Sequence, residues 1–323
     1  MGSTLTGSGG AFTSADQANI NQSFTQINAD FYVDGNNGFN GNPGTSQGLA
    51  FRTMSGLSLP LTLAKQASPN KQFVVALTGV LNEEWSSPRV NDVVLIGAAG
   101  LPRQATTSGV PNFGGATWLS PSSATAALLQ PNGQGWVIQN IFFNNSATAA
   151  GCIKLVNAGD PPSSNCSEKT TIRGCILTGT DDGVAATDLP NNVLIEGCTF
   201  FGFSGSGDLG ISSATGLGTG TLQNWVIRNC TFNGNANHIT APFTSSEITG
   251  CKFSYIYGSV TTTTQLLLSG GSNNSVHHNS FDIPFSTNLI SAMFSGGTND
   301  RWYFNSFATA VTTTIFSFGV PAT

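Results

Sequence analysis

WVIRNCTFNG (residues 225–234) is echoed by WVIQNIFFNN (136–145), and the same frame recurs in TTIRGCIL (170–177), VLIEGCTF (193–200), SEITGCKF (246–253), NSVHHNSF (274–281) and DRWYFNSF (300–307). Each copy opens on an apolar lead residue: Ile138, Ile172, Ile195, Ile227, Ile248, Val276 or Trp302. Three positions on stands Ile141, Cys175, Cys198, Cys230, Cys251, Asn279 or Asn305, and two further on Phe143, Leu177, Phe200, Phe232, Phe253, Phe281 or Phe307. Two residues after the lead there is usually Gly or Asn. The pattern is a period of two with one interruption, so it predicts a bent strand rather than a helix.

The last apolar positions of successive copies are 34, 23, 32, 21, 28 and 26 residues apart. A recurrence in the range of roughly 20 to 50 residues predicts a solenoid, in which one short unit buries its apolar side only by stacking on the next. The copies lack helical i, i+3, i+4, i+7 spacing and carry Gly, Asn and Thr, which disfavours an α-solenoid. Uneven steps fit a right-handed parallel β-helix with loops of variable length on its flank. The expected architecture is all-β, a single-stranded helix of about 8–10 coils.

Composition narrows the function classes. Of 323 residues only 8% are charged, with 11 basic and 16 acidic side chains giving a net charge of −5. No Lys/Arg cluster is available to neutralise phosphates, so nucleic acid is not an expected partner. The start, MGSTLTGSGG, has neither a basic n-region nor an apolar h-region, and no apolar run of about 18 residues follows; export by a signal peptide and membrane insertion are not expected. The opening fits an acylation pattern that no polybasic segment supports, and the five N-x-[ST] triplets match chance in an Asn/Ser/Thr-rich chain.

With the seven copies, FYVDGNNGFNGNPGTSQGLAFRTM (31–54) and QFVVALTGVLNEEWSSPRVNDVVLIGAAG (72–100), the chain resembles the pectin-lyase-like right-handed β-helix proteins, especially those of phage virions. The Gly- and Asn-rich run suits tight turns with positive φ, and VVLIGAAG reads as an early coil. The resemblance implies a virion structural protein on the particle surface, made in the host cytoplasm: a capsid decoration or cement protein, or a short tail fibre. It implies a homotrimer that contacts other virion proteins and host surface polysaccharide. A second implication is a tail-spike receptor-binding protein with polysaccharide depolymerase activity, as glycoside hydrolase or lyase.

Residues 1–30 are expected to be an anchor or cap, and 31–323 the β-helix. In TSADQANINQSFTQINADF, Ser14 and Gln17 form a capping box, and Ile20, Phe24, Ile27 and Phe31 line one side of a predicted amphipathic helix. That helix either covers the open end of the stack or serves as an oligomer or docking element.

Catalytic groups are sparse. GTDDGVAATD supplies Asp181, Asp182 and Asp188 as candidate carboxylates, since glycoside hydrolysis needs one acid and one base or nucleophile flanking the bond. The resemblance to the Asp-Asp motif of polygalacturonases stops there, with no Asn-Thr-Asp, Gly-His-Gly or Arg-x-Lys to match; Asp-Asp-Gly reads first as a turn. Arg173 and Arg228, one residue after their leads, are expected to face solvent and pair with Glu196, which leaves no lyase base. His277 and His278 are expected on opposite faces by strand alternation, which argues against a shared metal ion, and His238 stands alone. No cofactor is expected.

The Cys column and its continuation in Asn279 and Asn305 read as small-residue packing that passes into an amide ladder. Parallel side-chain vectors disfavour disulfides within the column, whereas Cys152 and Cys166 could close a loop.

Overall fold

The computed structural model of the chain describes residues 27–98, 116–146, 151–156, 167–203, 205, 208–213, 220–254, 264–268, 270–282, 294–295, 297–307 and 316–317. Its strands wind into three parallel sheets, one of ten strands and two of nine, with a further two-stranded pair, Leu222–Gln223 and Phe243–Thr244, at one corner. In each sheet the neighbour of a strand is the equivalent strand of the next coil, and right-handed winding is the hand that such parallel connections strongly favour. The chain is a right-handed parallel β-helix.

The register follows the sequence frame. Ile138, Ile172, Ile195, Ile227, Ile248, Val276 and Trp302 are paired in unbroken succession through the ten-stranded sheet. The same column runs back through Leu95 and Val75 to Phe31. In the second sheet Leu81, Trp118, Phe143, Leu177, Phe200, Phe232, Phe253, Phe281 and Phe307 align likewise. The rings of Phe200, Phe232, Phe253 and Phe281 stack at centroid separations of 4.7, 4.9 and 4.8 Å, with interplanar angles of 4–9°. Those separations are the inter-strand spacing, so each ring is held by the backbone beneath it.

The interruption two residues after each lead is a corner in left-handed backbone conformation. Asn140, Gly174, Gly197, Asn229, Gly250, His278 and Phe304 all have φ between 54° and 63°. A second corner lies three residues before the lead, where Gly135, Lys169, Asn192, Asn224, Ser245, Asn273 and Asn299 have φ between 51° and 70°. Gly and Asn predominate because they tolerate this region at least cost.

The third sheet carries Trp85, Leu129, Ile153, Val184, Ile211, Ile239 and Leu266 in one column, and all of them are buried. One continuous apolar core runs the length of the stack.

Two expectations about the N-terminal end need correction. Ile20 and Phe24 lie outside the described residues, but Ile27 is not helical and Phe31 begins the strand Phe31–Asp34, packed on Phe51 and Phe73. Its apolar side chain belongs to the first coil's lead position. Among the described residues the helix of this end is Met54–Ala67, capped by the Thr53 hydroxyl accepting from Gly56 N at 3.1 Å. It buries Met54, Leu57 and Leu61 in the core. Glu83 accepts from Met54 N and Ser55 N at its N-terminus, and Trp85 Nε1 donates to Ser58 Oγ, so the helix lies over the first strands of the second and third sheets. It takes the place of two strands in the first coil and covers edges that would otherwise be unpaired.

Candidate functional site

The strand Ile176–Gly179 of the second sheet turns into Val184–Thr187 of the third, and the turn carries Asp181 and Asp182. Asp181 Oδ2 accepts from Gly151 N of the preceding coil at 3.0 Å. Asp182 Oδ1 accepts from Leu209 N of the following coil at 2.9 Å, and Oδ2 accepts from the Ser212 hydroxyl. Asp208, from the following coil, joins them through space and accepts from Gly205 N at 2.6 Å. Burial pushes the Asp182 carboxyl up to about 6 against the pull of its hydrogen bonds, and the Asp181 and Asp208 charges add to the rise. Asp208 is raised too, first by burial and then by the Asp181 charge.

Asp188 does not belong to this group. It is exposed, at φ 56°, beyond the far end of the strand Val184–Thr187. Six residues of extended chain place it roughly 15–20 Å from Asp182, beyond the roughly 5–9.5 Å that hydrolytic carboxylate pairs span. The acid that does approach Asp182, Asp208, escapes sequence reading because it lies on another coil. The most exposed aromatic rings among the described residues, Phe39, Tyr303 and Phe304, stand on other coils.

Neither the comparison with protein-family models nor that with curated proteins finds a match. Among solved structures the chain is similar to a GH136 lacto-N-biosidase from Eubacterium ramulus. The native form shows 8% identity and a TM-score of 0.47 over 86% of this chain and 55% of that one. Its selenomethionine derivative gives 8% identity and 0.32 over 91% and 70%. This chain thus spans about half the length of the native protein it matches. So distant a likeness bears on neither the activity nor the substrate of the present chain.

The Cys column is a polar device as well as packing. Cys175, Cys198, Cys230 and Cys251 are buried free thiols, and each Sγ lies 3.5–3.7 Å from the lead carbonyl one coil below: Ile138, Ile172, Ile195 and Ile227 in turn. Asn279 and Asn305 direct Nδ2 at the next two such carbonyls, Ile248 and Val276, at 2.9 Å. Asn279 Oδ1 accepts from Cys251 N, and Asn305 Oδ1 from Asn279 N. The thiol is the weak form and the amide the strong form of one function, a side-chain hydrogen bond to the lead carbonyl one coil below. Ile141, first in the column, is buried and packs without a donor. Burial pushes the Cys198 thiol well above its ordinary range and Cys152 up to about 12. Cys152 is a free thiol directed at Thr178 O, and Cys166 lies outside the described residues.

The outer wall of the ten-stranded sheet carries the other polar groups. Arg228 Nε pairs with Glu196 Oε1 at 2.9 Å, and Arg173 Nε donates to Gln139 Oε1 at 2.6 Å. Near the C-terminal coils an open depression of about 590 Å³ is lined by Asn273, Ser275, Asn299 and Arg301. Beside it Tyr303 stacks on His277 at 4.7 Å and Phe304 stands 77% exposed.

The expectation that His277 and His278 face opposite ways is overturned. His278 occupies the left-handed corner, where alternation fails, and its ring is turned outward beside that of His277. His238 is the inward histidine: wholly buried, between Phe232 and Phe253, with Nδ1 3.2 Å from Asn235 Nδ2 and no partner for Nε2 among the described residues. Burial lowers its pKa to about 3, so it is neutral at physiological pH.

Proposed function

We propose that this chain is a non-hydrolytic β-helical rod on the outside of a virion, a trimeric decoration protein or short fibre that meets host glycans with its outer wall. The observation that carries the non-hydrolytic reading is the employment of the acidic corner. Asp181, Asp182 and Asp208 each accept from a backbone amide, and Asp182 holds a hydroxyl as well. Asp181 and Asp182 thereby join coil to coil, and Asp208 closes its own loop. The depression at Asn273, Ser275, Asn299 and Arg301, with the aromatic ledge beside it, offers hydrogen bonds and flat apolar surface to a sugar without a pair of acids to cleave it.

Incubation of the purified protein with capsular polysaccharides, followed by assays for new reducing ends and unsaturated products, is expected to yield neither; release of either overturns the reading. Labelling on particles is expected over the capsid shell, whereas labels at the tail support adsorption, and labels on neither remove the virion assignment. Sedimentation is expected to give a trimer, and a monomer across concentrations counts against that state. One observation favours the depolymerase alternative: with its carboxyl raised to about 6, Asp182 has the proton affinity of a general acid. Under that reading Asp182→Asn abolishes product formation.

A further inference from the structure

We propose that His277 and His278 form a site for a divalent transition-metal ion of tetragonal preference, Cu²⁺ or Ni²⁺, with Glu247 orienting the first ring. The strand Ser275–His277 pairs with Glu247–Thr249 on one side and Arg301–Tyr303 on the other, so Glu247, Thr249, His277 and Tyr303 share one outer face. The corner at His278, φ 55°, brings the second imidazole round to that face. The two Nδ1 atoms are then 2.8 Å apart, with the ring planes at 82°.

The environment sets the roles of the nitrogens. Glu247 Oε1 lies 2.8 Å from His277 Nε2 and accepts its proton, which leaves a lone pair on Nδ1. A carboxylate behind a histidine in this way is the arrangement that fixes tautomer and ring angle at metal centres and raises ligand basicity. Tyr303, stacked on the same ring at 11°, restricts its rotation. With that lone pair accepting, the hydrogen bond between the rings calls for the His278 tautomer protonated on Nδ1; ion binding takes the other neutral tautomer, a proton leaving Nδ1 for solvent and one joining Nε2, so that both Nδ1 lone pairs face the ion.

The separation discriminates between metals. With metal–nitrogen bonds of about 2.0 Å, two nitrogens at a right angle are about 2.8 Å apart, and two at the tetrahedral angle about 3.3 Å. The hydrogen-bonded 2.8 Å is already the spacing of adjacent corners of a square-planar or octahedral ion, whereas a tetrahedral zinc centre needs the two nitrogens to open by about 0.5 Å. Among the described residues no three His, Cys, Asp or Glu side chains are grouped to hold a metal, so the remaining positions fall to water, with Thr249 Oγ1 close by at 3.2 Å from His277 Nδ1.

The test titrates the full chain with CuCl₂, NiCl₂ and ZnCl₂ by calorimetry and records the electron paramagnetic resonance of the copper form. One ion per chain, a tetragonal copper spectrum split by two imidazole nitrogens, and Ni²⁺ binding no weaker than Zn²⁺ are expected. His278→Asn, which keeps a residue suited to the left-handed corner, is expected to weaken Cu²⁺ at least tenfold and reduce the splitting to one nitrogen. Glu247→Gln is expected to weaken it about tenfold with both nitrogens retained. Circular dichroism confirms that the variants are folded. Equal copper affinity and spectra in wild type and His278→Asn, or tighter binding of Zn²⁺ than of Ni²⁺, would overturn the proposal.

Discussion

His238→Leu should remove most of the acid sensitivity that the core imposes on this protein. The ring is wholly buried and its pKa falls from 6.5 to about 3 on folding. A base depressed in the folded state binds protons in the unfolded chain first, so stability is complete above pH 6.5 and drains away as pH falls toward 3. At 1.36 kcal/mol per unit, the loss assigned to His238 between pH 7 and pH 4.5 is about 2.5 kcal/mol. Asp182 works in the opposite sense: an acid raised to about 6 takes its proton first in the native state, so its contribution improves as pH falls from 6 toward 3.8. That term is common to wild type and variant and cancels. Urea unfolding followed by tryptophan fluorescence at pH 7 and 4.5 supplies the four free energies. The wild type should lose about 2.5 kcal/mol more than His238→Leu over this interval, whatever the variant costs at pH 7. An equal loss in the two proteins would show that the histidine is protonated in the folded core and refute the reasoning.

Phe232→Ala, which removes the ring between Phe200 and Phe253, should cost about 3–5 kcal/mol in the same urea assay, against less than about 1 kcal/mol for Arg228→Ala at its exposed ion pair. Gly197 has φ 60° and open space where a Cβ would stand, so Gly197→Val isolates the backbone cost of the corner; a loss of about 1–2 kcal/mol is expected, and a smaller one for Gly197→Asn. Cys152, Cys175, Cys198, Cys230 and Cys251 should resist a thiol-specific chromophoric reagent in the native protein and react within the dead time in denaturant; labelling of any of the five in the folded chain would contradict their burial.

The copies around Ile138 to Trp302 disclosed the winding because their information is local. Alternation puts the lead and the final Phe inside, and a Gly or Asn between them bends the strand whatever surrounds it. The third sheet left no such trace: strands such as Val184–Thr187 and Leu209–Ser213 are short, and loops of uneven length separate them from the repeat. Helix Met54–Ala67 was equally obscure, since Gly56 and Pro60 interrupt its pattern and what holds it is the Glu83 carboxylate and the core beneath. Phe31 fits a helical seam and a strand lead alike, and only its pairing with Val75 decides between them.

Chemistry divides along the same line. The sequence by itself determined the coil, its corners and the scarcity of charge, because backbone preference and side-chain alternation act over a few residues. Tertiary structure alone decided that Asp182 meets Asp208 rather than Asp188, that the Cys thiols satisfy carbonyls one coil below, and that His278 turns out to join His277 and Glu247. Each of those rests on contacts between residues 24 to 37 positions apart on neighbouring coils, created only when the stack closes and burial sets the electrostatics.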